Sequence, residues 1–202
     1  MSRNKELNAK IKDERREQIL STALMLFATK GLSATRISDI SNSAGISQGL
    51  LYHYFTSKEE IFVKLIETAF ERLNGACRWL EAQPLPPEGK IEFAITGLLK
   101  LLDENPDAAR YHLLIAQSAA SDAIPDEAKS IIKKEYTYPY RAIAGIIAQG
   151  QEAGSIRKHD ANQLALMFWS TINGLAIYRA VHEDTFITPD PKILCSIFLE
   201  NL

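Results

Sequence analysis

Cysteine is scarce in this chain, and its scarcity excludes one class of fold. The 202 residues contain only Cys77 and Cys195, too few for a disulfide framework, so we expect a reducing compartment and place the protein in the cytoplasm. No apolar run approaches the ~20 residues that a membrane span requires. The polar N-terminus lacks the hydrophobic region of a secretory signal. We therefore expect no membrane partner.

Patterns typical of catalysis or metal binding are also missing. The four histidines do not fall at zinc-ligand spacing with either cysteine. The chain has no glycine-rich phosphate loop and no dinucleotide fingerprint. We therefore predict a protein that is not an enzyme and that uses no metal and no other cofactor.

Charge is distributed unevenly along the chain. The formal net charge of −2 argues against a uniformly basic nucleic-acid binder. Residues 1–58 nevertheless hold nine Lys and Arg against five Asp and Glu, a net of +4, which leaves −6 for the remainder. A basic end on an acidic body is typical of a protein that contacts a polyanion with that end.

The segment 35–58 predicts two short helices around a sharp turn. Ile37 and Ile40 lie on one face of the first helix, and Gly45 supplies the left-handed residue that ends it. Ser47 can then cap the second helix. Two helices joined by a short turn that contains glycine are the pattern of a helix-turn-helix. Such a unit can bind DNA or serve as plain packing, and these residues alone leave both open.

The outward face of the second helix carries residues suited to DNA. Gln48 can pair with adenine, Leu50 can meet a thymine methyl group, and Gly49 lets the backbone approach the groove wall. The alternative is a surface helix that is merely polar. The candidates for phosphate contacts are Thr35, Arg36, Ser47, Tyr52, His53 and Lys58.

A wider set of residues extends this pattern on both sides. The set comprises Ile19-Leu20, Ala23, Phe27, Gly31, Thr35, Ile40, Ala44-Gly45-Ile46-Ser47, Gly49, Leu51-Tyr52, Phe55 and Ser57-Lys58-Glu59-Glu60. Over about residues 13 to 66, without gaps, it closely resembles the DNA-binding domain of the TetR family of bacterial transcriptional regulators. The sequence departs from the family pattern at Ser41, where Ala is usual, and at Tyr54, where His is frequent.

The resemblance implies a homodimeric regulator that binds double-stranded operator DNA. Its two recognition helices would enter successive major grooves ~34–36 Å apart. The resemblance further implies a repressor that is released when a small-molecule effector enters the body of the protein.

The rest of the chain predicts helices only, so we expect an all-α fold of about nine helices. A helix-turn-helix domain should cover 1–57, with a frayed basic tail over 1–12, and a ligand-binding and dimerisation domain should cover 58–202. The capping box Ser57-Lys58-Glu59-Glu60 opens a long helix that links the two and is our candidate for the moving part. Beyond the two short helices, we predict helices over 13–30, 58–80, 88–103, 106–121, 125–153, 160–183 and 189–201.

The 125–153 helix contains tyrosines around Pro139. A proline inside a helix removes an amide donor and predicts a kink. A kinked helix that carries tyrosines can wall a cavity, although an aromatic core with hydroxyls at the surface is the alternative. The mixed lining indicates an effector that is largely apolar and uncharged or weakly polar. Its candidate contacts are Phe70, Tyr111, His112, Gln117, Tyr136, Tyr140, Phe168 and Asn173.

The 160–183 helix is apolar almost all round. Such a helix must be covered on every side, and the short helix at 189–201 does not supply enough cover. We therefore expect a homodimer in which these two helices meet their symmetry mates as a four-helix bundle, the alternative being burial within the monomer. The candidate interface residues are Trp169, Ile172, Gly174, Ile177, Ile197 and Phe198.

Three other functions stay open at this point. One is an effector-independent activator or chromosome-organising protein of the same fold. Another is a small-molecule carrier whose DNA-binding unit is vestigial, and the third is an all-α enzyme. Calorimetry with metabolites, binding to DNA fragments and turnover of a bound ligand would distinguish them.

Overall fold

The computed structural model describes residues 2–182 and 185–200, apart from the side chains of residues 2–6 and 8. These residues form ten α-helices, and their only β pairing is an isolated antiparallel bridge between Ile156 and Leu199. The predicted all-α class is confirmed. The helices are α1 (Ser2–Ala34), α2 (Ile37–Ser43), α3 (Gln48–Tyr54), α4 (Lys58–Glu81), α5 (Pro87–Glu104), α6 (Pro106–Ala119), α7 (Asp126–Glu135), α8 (Tyr138–Ala153), α9 (Ala161–His182) and α10 (Pro191–Phe198).

Helix α1 is longer than its apolar pattern predicts. The described part of the expected frayed tail, from Ser2 onward, is helical and continues directly into the buried part of α1. Just after the end of the helix predicted over 13–30, Gly31 breaks the regular geometry of α1, with φ at 79° and ψ at 163°. Glycine reaches this positive φ without steric cost, so the chain changes direction there before the last turn of α1.

The single helix predicted over 125–153 is two helices in the structure. Helix α7 ends at Glu135 and α8 begins at Tyr138, with Pro139 in its first turn. Because proline has no amide proton, it cannot continue the hydrogen bonding of α7 but fits the start of a new helix. This break explains why ten helices replace the nine expected.

Two large apolar clusters form most of the core, with a third, small one around Leu102, Ala109 and Ala176, and α4 runs through both large clusters. The cluster of the head, by which we mean α1–α3 with the first half of α4, holds Ile61 and Phe70 of α4 together with Phe27 and Leu51. It also includes Leu114 of α6, so the head packs directly on the body. The cluster of the body takes up the second half of α4 and residues of α5, α8, α9 and α10. A displacement of α4 therefore changes the packing of both.

Helix α9 is 22 residues long and, by length and composition alone, apolar enough to cross a membrane. The expectation that no segment approaches this length is wrong by that measure, because polar residues such as Gln163 and Asn173 only interrupt the apolar run. Core helices of soluble proteins pass the same test. About a third of the apolar window, 33%, is buried within the subunit.

Candidate functional site: recognition helix and body cavity

The turn between α2 and α3 is held by local hydrogen bonds. Gly45 has φ at 65°, and the amide of Ile46 donates to the Ser41 carbonyl at 3.0 Å. The side-chain oxygen of Ser47 accepts the Leu50 amide at 3.1 Å, as predicted for an N-cap. From α1, Gln18 Nε2 donates to the Ala44 carbonyl at 3.0 Å. These contacts fix the orientation of α3 within the head.

Ser47 also stands in a Gly-x-Ser-x-Gly sequence, residues 45–49, which the nucleophile elbow of hydrolases shares. An elbow needs a strand before the serine, whereas here the serine follows helix α2 and a turn. Its hydroxyl oxygen caps α3. The serine of this motif therefore caps a helix here, and the motif does not indicate a nucleophile.

Helix α3 presents its predicted DNA-reading face to solvent. Gln48, Gly49 and Leu50 are exposed, while Leu51 is completely buried in the head cluster. Tyr52 is also exposed, and so are Arg36, Ser47 and His53. The structure thus leaves these residues of the head accessible to solvent, and their individual contacts with DNA stay predictions.

Thr35 requires a correction. Its side chain is 0% exposed, and its hydroxyl donates to the Gly31 carbonyl at 2.7 Å. A side chain inside the head cannot reach a phosphate in this conformation. The role of Thr35 is to satisfy a carbonyl left free where α1 breaks.

Lys58 also has a different role from the one predicted. Its ammonium donates to the carbonyls of Leu32 and Thr35, both at 2.8 Å, and approaches that of Ser33 at 3.4 Å. An ammonium group has three protons, and all three are accounted for by this corner of the backbone. A cation is also favoured at the C-terminal end of a helix. Lys58 therefore ties α4 to the corner between α1 and α2, which we call the Lys58 latch.

A small cavity lies between α4, α6, α8 and α9. Its volume is ≈ 40 Å³, enough for roughly one water molecule. Five of the eight residues predicted as ligand contacts meet around it. The lining residues are Phe70, Leu73, His112, Ile115, Ala116, Tyr136, Pro139, Tyr140, Trp169 and Asn173.

The polar side chains of this cavity form one connected group. Nδ1 of His112 lies 2.8 Å from Oδ1 of Asn173; because an amide oxygen only accepts, Nδ1 carries the proton and Nε2 of the neutral ring stays an acceptor. Burial lowers the pKa of His112, which the bond to Asn173 opposes. Burial raises the pKa of Tyr140, as does its hydrogen bond with Tyr136. The lowered pKa of His112 and the raised pKa of Tyr140 both favour the uncharged forms of these two side chains.

Three predicted ligand residues do not line this cavity. Tyr111 packs on the head cluster with the Arg72 guanidinium 5.3 Å from its ring centroid. Gln117 donates to the Ala28 carbonyl of α1 at 3.2 Å. Phe168 faces a different opening on the far side of Trp169. The assignment of these three to the same cavity was wrong because it rested on helix faces without knowledge of how the helices cross.

A larger opening, which we call the α4–α5 groove, was missed. Its volume is ≈ 240 Å³. Its mouth holds Trp79 and Phe93, large apolar side chains on the otherwise outward faces of their helices, and this was the available sequence signal. The lining residues are Leu73, Ala76, Cys77, Trp79, Leu80, Phe93, Ala94, Gly97, Leu98, Leu101, Ile143, Phe168 and Trp169.

The predicted dimer interface also needs correction. Trp169, Ile172 and Phe198 are at most 3% exposed within a single subunit, and the Trp169 indole donates to the Pro139 carbonyl at 3.0 Å. They are core residues. Gly174 is exposed, and Ile177 and Ile197 are partly buried. The apolar side chains that α9 leaves in solvent are Leu166, Met167, Tyr178 and Val181.

Within an all-α fold, a turn held by local hydrogen bonds and an exposed second helix define a helix-turn-helix unit, the architecture that many DNA-binding proteins use. Among the residues that the structure describes, no His, Cys, Asp or Glu side chains group as a metal site. Residues 19–65 match the family described as "Bacterial regulatory proteins, tetR family".

Comparisons over longer parts of the chain agree with this match. The transcriptional repressor KstR2 from Mycobacterium tuberculosis strain H37Rv is 30% identical over 148 residues, 72% of this chain and 70% of its own. KstR2 from Rhodococcus jostii strain RHA1 is 29% identical over 193 residues, which cover 95% of this chain and 92% of that protein. The crystal structure of the MbdR regulator from Azoarcus sp. CIB superposes with a TM-score of 0.79 at 27% identity. The superposition covers 93% of this chain and 98% of the MbdR chain.

The chain belongs to the TetR family of bacterial transcriptional regulators. It is a DNA-binding regulator of transcription and not an enzyme, and the predicted family and function are confirmed.

Proposed function

We propose that this protein represses transcription as a cytoplasmic homodimer and that a small molecule bound in its body releases it from its operator. Both KstR2 relatives are named repressors. The observation that carries the proposal is the course of α4. Its first residue, Lys58, holds the corner of the head, while Phe70 and Leu73 further along line the body cavity. One rigid helix thus contacts both sites.

Helix α6 provides a second connection between cavity and head. His112 on one of its faces lines the cavity. On another face, Asp107 accepts the Ser21 hydroxyl at 2.7 Å, and Gln117 bonds to the Ala28 carbonyl. A ligand that displaces α4 or α6 therefore moves the head. Changing a 99:1 population into 1:99 takes ~5.5 kcal/mol of differential binding, which an enclosed apolar ligand can supply.

In this proposal Gln48, Gly49 and Leu50 read base edges in the major groove. The exposed Arg36, Ser47, Tyr52 and His53 contact phosphates and set the register. Selection of bound duplexes from a random DNA pool would give the operator. We expect two half-sites with their centres ~34–36 Å apart, or a multiple of this spacing, because a two-fold dimer presents two copies of α3.

Gln48→Ala tests the base-reading role. We expect the variant to lose ~1–3 kcal/mol of discrimination at one base pair of each half-site while binding random DNA as the wild type does. Competition between the selected duplex and single-base variants would measure this. An equal loss of affinity on selected and random DNA would show that Gln48 does not read a base.

The dimer in this proposal forms through the outward face of α9, with α10 beside it. This face carries Leu166, Met167, Tyr178 and Val181 around the small residues Ser170 and Gly174. A two-fold axis through such a face buries the same patch on both subunits. The small residues allow the helices to approach closely.

Ser170→Arg places a charge at the centre of that face and should give a monomer that binds its operator weakly. Gly145→Arg is the matched control, because Gly145 is exposed on α8 with open space around its Cα. Light scattering after gel filtration measures the mass of each. A dimeric Ser170→Arg protein would place the interface elsewhere.

A further inference from the structure

The body cavity and the α4–α5 groove meet at two shared residues. Leu73 and Trp169 line both spaces and therefore belong to the partition between them. Trp169 is fixed by its bond to the Pro139 carbonyl. Leu73 is a partly buried aliphatic residue with staggered rotamers available to it. A change of the Leu73 rotamer would therefore widen the connection between the two spaces.

Hydrogen-bonding groups lie at one end of this combined space. The cavity holds the side-chain oxygens and nitrogens of His112, Asn173, Tyr136 and Tyr140. The groove is lined by aliphatic and aromatic residues, with only the Cys77 thiol besides. Burial raises the pKa of that thiol to about 12, so it is uncharged at neutral pH.

Neither space contains a charged side chain among its lining residues. A carboxylate or an ammonium group would lose its water there without gaining a partner of opposite charge, which is costly. A carbonyl or hydroxyl group loses less and can bond to the phenols of the cavity or to the imidazole. The lining therefore favours a neutral head.

We propose that the cavity and the groove are two compartments of one effector site, which takes a neutral molecule with an apolar body in the groove and a carbonyl or hydroxyl head in the cavity. This inference rests on the proposed function, because it describes the ligand of the same regulatory site. The two volumes together approach the ~300 Å³ at the lower end of ligand pockets, so the molecule is small. It enters past Trp79 and Phe93, whose ring centroids lie 5.3 Å apart at the mouth.

Three phenylalkyl probes of similar size test the chemistry. Butylbenzene has the body alone, benzylacetone adds a neutral carbonyl, and phenylbutyrate ends in a carboxylate. We expect benzylacetone to bind to the full-length dimer most tightly and phenylbutyrate least, as measured by calorimetry at neutral pH. Tightest binding by the carboxylate, or no binding of any probe up to its solubility, would overturn the inference.

Gly97→Leu tests the groove. A Cβ at Gly97 meets nothing within 4 Å, so the new side chain can extend into the groove without strain. The variant should bind butylbenzene and benzylacetone at least tenfold more weakly than the wild type does. Gly145→Leu makes the same change at an exposed position on α8 and controls for the effect on helix stability. Unchanged affinities in Gly97→Leu would overturn the inference.

Tyr140→Phe tests the head compartment, because it removes one hydroxyl and keeps the ring beside Tyr136. It should weaken the binding of benzylacetone about two- to tenfold, as expected for the loss of one hydrogen bond, and leave the binding of butylbenzene unchanged. The two tryptophans of the chain locate the ligand, since Trp79 is at the mouth and Trp169 at the partition. In Trp79→Phe and Trp169→Phe proteins, benzylacetone should alter the fluorescence of the tryptophan that remains.

DNA binding separates this inference from the proposed function. If the probes bind in the expected order but the selected duplex is not released by benzylacetone at saturation, the site is correct and the proposed repressor mechanism fails. If the duplex is bound and released while Gly97→Leu and Tyr140→Phe leave probe binding unchanged, the proposed function stands and the two-compartment site is wrong.

Discussion

The Lys58 latch makes a prediction that distinguishes a structural lysine from one that binds DNA. Lys58→Met keeps most of the aliphatic stem and removes the ammonium from the carbonyls of Leu32, Ser33 and Thr35. A hydrogen bond to a charged group contributes ~1.5–3 kcal/mol when buried. The side chain is partly exposed, and water can replace part of this stabilisation. We therefore expect the free energy of unfolding to fall by about 2 kcal/mol.

Two measurements test this prediction. At fixed protein concentration, thermal melting should occur about 4 to 8 °C lower, from ~2–4 °C per kcal/mol for a chain of this size. Fluorescence anisotropy with the selected duplex, at salt from ~50 to ~200 mM, should give an unchanged slope of log K against log salt. If Lys58 instead neutralised a phosphate, its removal would reduce the slope by ~0.9 for each phosphate no longer neutralised.

Lys64→Met is the matched control on the same helix. Lys64 forms an ion pair with Glu67 at 3.0 Å near the surface, and such pairs contribute ~0–1 kcal/mol. A smaller salt slope in Lys58→Met with an unchanged melting temperature would refute the latch and restore the phosphate-binding role of Lys58.

Two further predictions concern the body. Gly150→Ala should destabilise the protein by ~1–3 kcal/mol, because a Cβ there would collide with the buried Ile156 side chain. Gly145→Ala, with open space, should instead be stabilising by up to ~1 kcal/mol; urea denaturation that ranked them equally would contradict this. Burial lowers the pKa of His112, so as the pH falls the unfolded chain takes up a proton before the folded chain does. The free energy of unfolding therefore decreases as the pH falls below ~6.5, the ordinary pKa of histidine, by at most ~1.4 kcal/mol per pH unit. His112→Gln should lose this dependence, and identical pH curves for variant and wild type would show that His112 is not its source.

The head could be predicted closely because local chemistry determines its elements. Ser47 and Ser57 cap α3 and α4 as expected, each accepting the amide three residues ahead. Glu60 differs from the expected capping box, because it accepts the amide of Thr56 instead of that of Ser57. Even the unusual Ser41 is accommodated, since its buried hydroxyl donates to the Ser38 carbonyl at 3.2 Å. Signals spaced three or four residues apart can be read from the sequence.

Roles that depend on a distant partner could not be predicted in this way. Thr35 and Lys58 belong to residue types that commonly bind phosphate, and nothing in their neighbourhood shows that the carbonyls at the end of α1 need donors. That need arises only because α1 breaks at Gly31 and brings the ends of three helices together. The proposed boundary between the head and body domains has the same difficulty, since Leu114 of the body packs in the cluster of the head.

The prediction of the dimer-interface residues failed for a further reason, which lies in the composition of α9. A helix that is apolar on one side shows its buried face in its periodicity, whereas α9 carries apolar residues all round and gives no such direction. Its rotation is set by what it packs against: α6 and α8 cover the side with Ile172 and Trp169, and the opposite side with Met167 and Val181 is left in solvent. Because α9 is apolar on all sides, its composition predicts that it needs cover both from its own subunit and from a second copy. Only the tertiary arrangement decides which side the subunit covers itself, and the side left over is the one available to a second copy.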